Sequence, residues 1–227
     1  TGTMNVLMAA KEAGIKRVVT ASSAAVYGNN PQLPKKEDMK PEPESPYAVA
    51  KIIGEYYMKA FYQVYGLQTV SLRYFNVYGP RQDPSSPYSG VISLFMNAVV
   101  SKEPPVIYGD GQQYRDFIFV GDVVKANLLA AETTDIGGKI FNVGTGSSVR
   151  IGDLWEKICG LSGSNIEPRH APSRPGDIVE SVGSIDRIQS EMGFAPKYSV
   201  EEGLKLTFDW YRAEPSRAAT KALRHEE

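Results

Sequence analysis

Apolar and polar positions along the chain predict short strands that alternate with longer helices. Apolar residues recur at helical spacing over 3–13, and a β-branched run at 18–21 predicts a buried strand. Ser45 and Pro46 are typical of a helix start, and this helix is predicted over 46–65. Further strands are predicted at 67–75, 105–108, 117–120 and 139–143, and further helices at 91–100, 122–132, 151–161, 186–192 and 200–211. This alternation predicts an α/β fold with a parallel sheet and helices on its faces.

Three segments lack such a pattern. Residues 29–44 are rich in proline and charge and are predicted to form a loop, and residues 76–89 are turn-rich. Residues 214–227 are predicted to form a polar tail outside the fold. The predicted core therefore lies between the first helix and residue 213.

Composition narrows the range of partners. The content of 42% hydrophobic and 22% charged residues is ordinary for a globular protein. The net charge of −1, with Lys and Arg spread along the chain, argues against a nucleic-acid or membrane partner. The single Cys159 cannot form an internal disulfide, and His170 and His225 lie too far apart in sequence to suggest a metal site. Since no apolar run is long enough to cross a bilayer, we expect a cytoplasmic protein.

Tyr47 and Lys51 form the strongest local signal for chemistry. They lie four residues apart in the first turns of a predicted helix, so their side chains share one face. An ammonium group beside a phenol favours the phenolate, which can act as a base. The pair taken alone is also consistent with an exposed pair on a helix surface.

Ser22 and Ser23 follow directly after the predicted strand at 18–21. Ligands of open α/β sheets bind at the carboxyl ends of the strands, where a hydroxyl group can bond a substrate or share a proton with a base. An ordinary turn from strand to loop would look the same in the sequence. The presence of Tyr47 and Lys51 favours the functional interpretation.

Several short motifs occur in a fixed order with these residues. They are Ser-Ser-x-x-Val-Tyr-Gly at 22–28, Ser-Pro-Tyr-Ala-x-x-Lys at 45–51, Arg-Tyr-Phe-Asn-Val-Tyr-Gly-Pro-Arg at 73–81, Tyr-Gly-Asp-Gly at 108–111, Arg-Asp-Phe at 115–117, Phe-Asn-Val-Gly at 141–144 and Arg-Pro-Gly-Asp at 174–177. Each is weak alone. Together they resemble the extended short-chain dehydrogenases/reductases that act on nucleotide sugars, the NAD-dependent epimerase/dehydratase family.

The resemblance implies a partial Rossmann-type, doubly wound parallel sheet with a smaller α/β substrate-binding domain. The implied NAD-binding part is 1–79 with 115–146, and the implied nucleotide-sugar-binding part is 80–114 with 147–213. The family's Gly-rich phosphate loop would precede the first helix, so we expect the first half of the sheet to be missing. Residues 144–146 are interpreted as a structural turn, although Gly-Thr-Gly is a fragment of a dinucleotide fingerprint.

The resemblance also implies roles for individual residues. In 4-epimerisation, Tyr47 would take the proton of the sugar 4-hydroxyl, Lys51 would hold the nicotinamide ribose, and Ser23 would bond the same hydroxyl. The implied cofactor contacts are Ser22, Tyr47, Lys51 and Phe75. The implied substrate contacts are Ser23, Asn76, Val91, Val106, Tyr108, Arg115, Arg174, Asp177 and Ser181. An isolated Arg is more often a solvated surface charge, so Arg115 and Arg174 depend on the motifs around them.

Two positions bear on the reaction and one on the sugar. Ala24 and Ala25 stand where related dehydratases carry Asp and Glu, and alanine cannot act as an acid or a base. This favours a UDP-hexose 4-epimerase. The resemblance implies that Ser181 lies at a position lining the sugar pocket, where a Tyr would block a 2-acetamido group, so UDP-GlcNAc and UDP-GalNAc are expected substrates beside UDP-glucose and UDP-galactose.

Other interpretations stay open at this point. A UDP-glucuronate 4-epimerase shares the motif at 22–28, and another nucleotide-sugar dehydratase or reductase would use the same cofactor. A catalytically silent binding protein could have the same fold. By resemblance, the helices at 3–13 and 46–65 are expected to form a homodimer interface.

Overall fold

The computed structural model describes residues 1–86, 89–173 and 180–213. Its helices are α1 (Gly2–Glu12), α2 (Pro46–Tyr65), α3 (Val91–Ser101), α4 (Val120–Glu132), α5 (Ile151–Ser162), α6 (Asp186–Met192) and α7 (Val200–Ala213). Its strands are β1 (Arg17–Ser23), β2 (Gln68–Tyr74), β3 (Asn76–Tyr78), β4 (Val106–Tyr108), β5 (Tyr114–Arg115), β6 (Phe117–Phe119), β7 (Lys139–Val143), β8 (Val149–Arg150), β9 (Arg169–Ala171) and β10 (Glu180–Ser181). A 3₁₀ helix at Ala24–Tyr27 follows β1.

The main sheet is parallel, with the strand order β1-β2-β7. Alternate residues of the central strand β2 face opposite sides of this sheet, as the period of a strand requires. Val70 and Leu72 belong to the apolar cluster that includes α4 and α6. Thr69 and Arg73 instead bond the main chain or side chains of α2. Helices therefore cover both faces, which confirms the predicted Rossmann-type α/β class.

Helix α2 has clear signals at both ends. The Ser45 hydroxyl accepts a hydrogen bond of 3.1 Å from the Ala48 amide, and Pro46 occupies the first helical position. Gly66 ends the helix with a positive φ of 70°, a conformation that costs other residues a steric penalty. These caps fix where the helix begins, and hence where Tyr47 lies relative to the sheet.

A second apolar cluster lies away from the main sheet. It joins α3, α5 and α7 to β3 and β6, and an edge-on contact between Phe95 and Trp155 lies at its centre, with ring centroids 5.2 Å apart. The strands β3 and β6 form a parallel pair. In the chain, β3 follows β2 after one residue, and β6 follows β5 after one residue. Short strand pairs β10–β5, β5–β8 and β4–β9 line this part of the molecule.

The loop at 29–44 is predicted correctly as irregular, but it is fixed in place. Lys35 forms an isolated parallel bridge with Gly183, through hydrogen bonds of 2.8 Å from Lys35 N to Val182 O and from Ser184 N to Lys35 O. The loop therefore ties the exit of β1 to the segment that follows β10. In the described part of the chain, no helix is long and apolar enough to span a membrane.

The prediction fails for the shortest elements. Residues 76–89 are predicted as turns throughout, whereas Asn76–Tyr78 forms β3 and pairs with Phe117–Phe119. The strands β5, β8, β9 and β10 are missed as well. Strands of two or three residues are too short to show a period in the sequence. The longer helices and strands lie within two residues of their predicted bounds.

Candidate active site

Ser22 and Ser23 end β1 at the carboxyl edge of the main sheet. Ser23 is the N-cap of the following 3₁₀ helix, and its hydroxyl accepts a bond of 3.2 Å from the Ala25 amide. Ser22 is buried and donates its hydroxyl proton to Glu55. The two neighbours thus face different environments, because successive side chains of a strand point to opposite sides.

Tyr47 and Lys51 lie in the first turns of α2, above this edge. The Lys51 ammonium donates a hydrogen bond of 2.8 Å to the carbonyl of Ala21, and it lies 5.4 Å from the centre of the Tyr47 ring. Tyr47 is 49% exposed, so its phenol is accessible to a ligand. We call Ser22, Ser23, Tyr47 and Lys51 the catalytic edge. Their proximity to one another supports the predicted roles, which stay predictions.

A buried ion pair lies beneath the catalytic edge. Glu55, one turn after Lys51 on α2, accepts hydrogen bonds of 2.9 and 2.7 Å from Arg73 of β2, together with the bond from Ser22. Burial opposes the charge of Arg73, but its hydrogen bonds with Glu55 and the nearby charges raise the pKa of the guanidinium above its ordinary value. The guanidinium therefore stays charged, and its bonds to Glu55 join helix α2, strand β2 and Ser22.

Tyr27 completes this buried network. Its ring lies over the Arg73 guanidinium at 4.8 Å, and its hydroxyl donates a bond of 2.6 Å to the side-chain oxygen of Asn142 on β7. Burial raises the pKa of Tyr27 to about 12, although the charge of Arg73 opposes this shift. Tyr27 is therefore a neutral hydrogen-bond donor near neutral pH.

Sequence reasoning assigned no role to Glu55, Arg73, Tyr27 or Asn142. Two signals could have found the pair. Arg73 is the only charged residue of strand β2, and Glu55 follows Tyr47 and Lys51 at a spacing of four residues, on the same face of α2. An unpaired charge inside a core is costly, so each residue implies a partner.

Phe75 and Ser22 are predicted cofactor contacts that the structure places in packed surroundings. Phe75 is buried in a cluster with Val26, Tyr27 and Ile52, and its amide donates a bond of 3.0 Å to the carbonyl of Val143. The hydroxyl proton of Ser22 is used by Glu55. Both residues lie at the carboxyl ends of their strands, and their contact with the cofactor stays a prediction.

The predicted polar substrate contacts come together around β3, β5 and β10. Asn76 begins β3, Arg115 ends β5, and Ser181 ends β10. Arg115 and Ser181 are direct partners in the parallel pair β5–β10. Asn76 reaches the same place through its side-chain amide, which donates a hydrogen bond of 2.8 Å to the carbonyl of Asp116. Three separate chain segments thus meet at one point.

The predicted apolar contacts lie on β4 and at the start of α3. Val106 and Tyr108 are both exposed on the same side of β4, whereas Ile107 between them is buried. Val91 is the first residue of α3 and packs partly against the second apolar cluster. We call Asn76, Val106, Tyr108, Arg115 and Ser181 the nucleotide-sugar pocket, after their predicted role, which stays a prediction. The predicted contacts Arg174 and Asp177 lie outside the described residues.

The turn at Gly144–Gly146 is bonded within the protein. The amides of Thr145 and Gly146 donate hydrogen bonds of 2.8 and 3.2 Å to the Asp116 carboxylate. An amide that serves a protein carboxylate is not available to a pyrophosphate. This geometry agrees with the interpretation of the motif as a structural turn.

The fold is that of an α/β enzyme of the short-chain dehydrogenase/reductase type. The chain belongs to the NAD-dependent epimerase/dehydratase family, whose model matches residues 1–144.

Relatives support this membership along almost the whole chain. A protein of Methanocaldococcus jannaschii named as a putative UDP-glucose 4-epimerase is 38% identical over 212 residues, which are 93% of this chain and 68% of that protein. The solved structure of a UDP-N-acetylglucosamine 4-epimerase from Methanobrevibacter ruminantium, in complex with UDP-N-acetylmuramic acid, is 44% identical. It superposes with a TM-score of 0.90 over 93% of this chain and 68% of that one.

A third comparison concerns the cofactor. The UDP-glucose 4-epimerase of Thermus thermophilus, solved in complex with NAD, is 38% identical with a TM-score of 0.85, over 93% of this chain and 68% of that one. NAD is the cofactor of this family. The residues of the catalytic edge fit its nicotinamide end. The Lys51 ammonium has three donors, of which Ala21 takes one, and ribose hydroxyls are suitable acceptors for the others.

Proposed function

We propose that the protein catalyses NAD-dependent 4-epimerisation of a UDP-hexose through a transient 4-keto sugar. The observation that carries this proposal is the arrangement of Tyr47, Lys51 and Ser23 at one carboxyl edge of the parallel sheet. The relatives named as UDP-sugar 4-epimerases support the reaction class. In this proposal residues 1–79 with 115–146 serve the cofactor, and residues 80–114 with 147–213 serve the nucleotide sugar.

Each residue of the catalytic edge has a physical reason for its role. Tyr47 acts as the base that takes the proton of the sugar 4-hydroxyl and later returns it. Lys51, whose ammonium lies beside the Tyr47 ring, holds the nicotinamide ribose. Ser23 orients the 4-hydroxyl toward Tyr47 by a hydrogen bond. Bound NAD would supply the hydride acceptor for C4 and the hydride donor for the opposite face of the 4-keto sugar.

The nucleotide-sugar pocket supplies the binding groups. Arg115 presents a planar fork of donors that suits the diphosphate, and Asn76 adds amide donors. Tyr108 offers an exposed ring for the uracil base. Ser181, next to Arg115, leaves room for a 2-acetamido group, so we propose that UDP-GlcNAc and UDP-GalNAc are substrates beside the unacetylated pair.

The test uses the full-length gene product with added NAD. It is incubated separately with UDP-galactose, UDP-GalNAc and UDP-glucuronate, and the products are separated by chromatography. We expect 4-epimers of the first two, with no net change in NADH absorbance. Turnover of UDP-glucuronate alone would contradict the proposed sugar, and a lasting rise of NADH would contradict epimerisation.

Ser181 allows a sharper test of the substrate. Ser181→Tyr should abolish turnover of UDP-GalNAc and retain turnover of UDP-galactose, because the larger side chain fills the space of the acetamido group. Ser181→Ala is the matched control, since it keeps the space and removes the hydroxyl. Equal loss of both activities in Ser181→Tyr would contradict this role.

We also propose a homodimer through α1 and α2. Val49, Ile53, Tyr56, Ala60 and Val64 of α2 are exposed and follow one another at spacings of four, three, four and four residues. This spacing is the one by which helices pack side by side, and a two-fold axis would bring the same stripe of a second copy against it. Ile53→Lys should shift the mass measured by light scattering from dimer to monomer, whereas Leu128→Lys on the exposed face of α4 should not.

A further inference from the structure

Asp116 is a fully buried carboxylate that follows Arg115 directly in the chain. Its Oδ1 accepts hydrogen bonds from the amide and the hydroxyl of Thr145, at 2.8 and 2.7 Å. Its Oδ2 accepts weaker bonds from the amides of Gly146 and Gly183, at 3.2 and 3.4 Å. In the described part of the chain its donors are thus neutral groups from two separate turns.

The main chain of Asp116 reaches two further segments. Its amide donates a hydrogen bond of 2.9 Å to the carbonyl of Ser181. Its carbonyl accepts hydrogen bonds of 3.0 and 2.8 Å from the main-chain amide and the side-chain amide of Asn76. Asn76, Arg115 and Ser181 are all residues of the nucleotide-sugar pocket. One residue therefore contacts, or adjoins in the chain, all three polar members of the pocket.

The turns are packed so tightly around Asp116 that they cannot adjust freely. A Cβ added to Gly144 would lie 2.6 Å from Oδ2 of Asp116, and a Cβ added to Gly183 would lie 2.5 Å from the Phe75 ring. Real Cβ atoms do not come so close to other heavy atoms. A change in the position of the carboxylate is consequently transmitted to both turns.

We propose that Asp116 is a positioning residue for substrate binding: its carboxylate and main chain set the relative positions of Asn76, Arg115 and Ser181. This inference rests on the proposed function, because it takes these three residues as the diphosphate and sugar contacts. Asp116 touches no residue of the catalytic edge in its hydrogen bonds. It therefore governs the affinity for the UDP moiety more than the rate of proton and hydride transfer.

Asp116→Asn is the sharpest variant. The amide has the size of the carboxylate, and its oxygen keeps both bonds to Thr145. Its NH₂ group, however, faces the amides of Gly146 and Gly183, which are donors too, so the two turns are pushed apart. Thr145→Val is a milder second variant that removes the hydroxyl, which bonds Asp116 and also Ser147 within the same turn, and Thr145→Ser keeps these bonds.

Asp122 provides a matched control. It is also a buried aspartate, and it accepts main-chain bonds of 2.8 and 3.2 Å from Lys197 and Tyr198, away from the pocket. Asp122→Asn should lower stability as Asp116→Asn does. It should leave the affinity for UDP unchanged, because none of its partners is a residue of the pocket.

The experiment measures the Kd of UDP by calorimetry and the KM and kcat of epimerisation in the full-length gene product. For Asp116→Asn we expect the Kd of UDP and the KM to rise about tenfold, with kcat changed less than about threefold. Thr145→Val should give a smaller rise that Thr145→Ser reverses. Equal UDP affinity in wild type and Asp116→Asn, or equal loss in Asp122→Asn, would overturn the inference alone. A wild type that binds UDP but epimerises no sugar would remove the proposed function, and the UDP measurement would still test Asp116. A wild type that does not bind UDP would overturn both.

Discussion

The catalytic edge and the nucleotide-sugar pocket each have one buried carboxylate beneath them, and the two carboxylates are held by different kinds of hydrogen-bond donor. Beneath the catalytic edge, Glu55 is paired with a charged side chain, Arg73, at 2.7 Å. Beneath the pocket, Asp116 is held by the hydroxyl of Thr145 and by the main-chain amides of Thr145, Gly146 and Gly183. The first carboxylate joins a long helix to a strand, and the second joins short turns to short strands.

The two carboxylates should respond differently when their hydrogen-bond partners are substituted as well. The partner of Glu55 is a side chain, so a second substitution can remove it and leave an apolar contact. The main partners of Asp116 are amides of the backbone, which no substitution can remove except by proline. The stability lost on substituting Glu55 should therefore be recovered by a second substitution, whereas the stability lost on substituting Asp116 should not.

The largest effect is expected at Glu55. Glu55→Gln leaves Arg73 buried without its counter-charge and should lower the free energy of unfolding by about 3–5 kcal/mol. Glu55→Gln combined with Arg73→Met should recover most of that loss, since the remaining groups carry no charge. Urea denaturation of the three proteins measures both steps.

The exposed pair Lys139–Glu191 is the control for this prediction. Its nitrogen and oxygen atoms are as close as in the buried pair, at 2.7 Å, but both side chains reach solvent. Glu191→Gln should cost less than about 1 kcal/mol. If Glu55→Gln lowers the free energy of unfolding as little as Glu191→Gln does, burial is not what makes the pair important. A double variant Glu55→Gln/Arg73→Met that is less stable than either single variant would contradict the prediction as well.

The second effect is expected at Asp116. Asp116→Ala leaves three main-chain amides without their acceptor and should cost on the order of 3 kcal/mol of unfolding free energy. Adding Thr145→Val removes one hydroxyl but none of the amides, so we expect no recovery. Urea denaturation of the single and double variants gives the answer. Recovery of most of the stability would show that the hydroxyl, and not the amides, determines the cost, and the contrast with Glu55 would disappear.

The pH dependence of stability separates the two carboxylates further. Burial raises the pKa of Asp116, while hydrogen bonds from Thr145, Gly183 and Gly146 oppose the shift. A carboxyl group with a raised pKa in the folded state binds its proton more tightly there than in the unfolded chain. Its contribution to stability is therefore greatest at low pH and is lost as the pH rises through the folded pKa.

The corresponding measurement compares wild type with Asp116→Asn from pH 7 down to about pH 4, where an unfolded Asp titrates. The wild type should gain stability relative to the variant as the pH falls, because the variant has no proton to bind at this position. The other carboxyl groups of the chain contribute equally to the pH dependence of stability in both proteins, so their contributions cancel in the difference. A stability difference that stays constant, or that moves in favour of the variant, would contradict the raised pKa.

The same contrast explains how much could be predicted from the sequence. The catalytic edge is formed by β1 and α2, which are long enough to show a period and carry cap residues such as Ser45 and Gly66. The bounds of α2 and the common face of Tyr47 and Lys51 were therefore predicted correctly. Hydrogen bonds between distant residues leave no periodic signal, so the network of Glu55, Arg73 and Ser22 was not found.

The pocket was predicted only through the resemblance to a family. Its strands β5 and β10 have two residues each, and their pairing joins Arg115 to Ser181, far apart in the sequence. Neither hydrophobic spacing nor turn residues indicate such a contact. The role of Asp116 was missed for the same reason, since its partners lie in two turns that become neighbours only in the folded chain.

The smallest effect concerns the helix caps and returns to the catalytic edge. Ser45→Ala removes the side-chain acceptor of the Ala48 amide and should cost about 1 kcal/mol of stability. Ser199→Ala should cost about the same, because the Ser199 hydroxyl accepts a hydrogen bond from the Glu202 amide at the start of α7, while the Ser199 amide donates one to the Glu202 carboxylate. The two variants should nevertheless differ in kcat.

This difference follows from what each first turn carries. Tyr47 lies in the first turn of α2, so fraying at Ser45→Ala should lower kcat severalfold and leave the KM for the UDP-sugar nearly unchanged. The first turn of α7 carries no residue of the catalytic edge or the pocket, and Ser199→Ala should keep the wild-type kcat. Equal kcat values in the two variants, at equal loss of stability, would mean that Tyr47 is held by the Lys51 and Glu55 contacts to β1 rather than by the cap of its own helix.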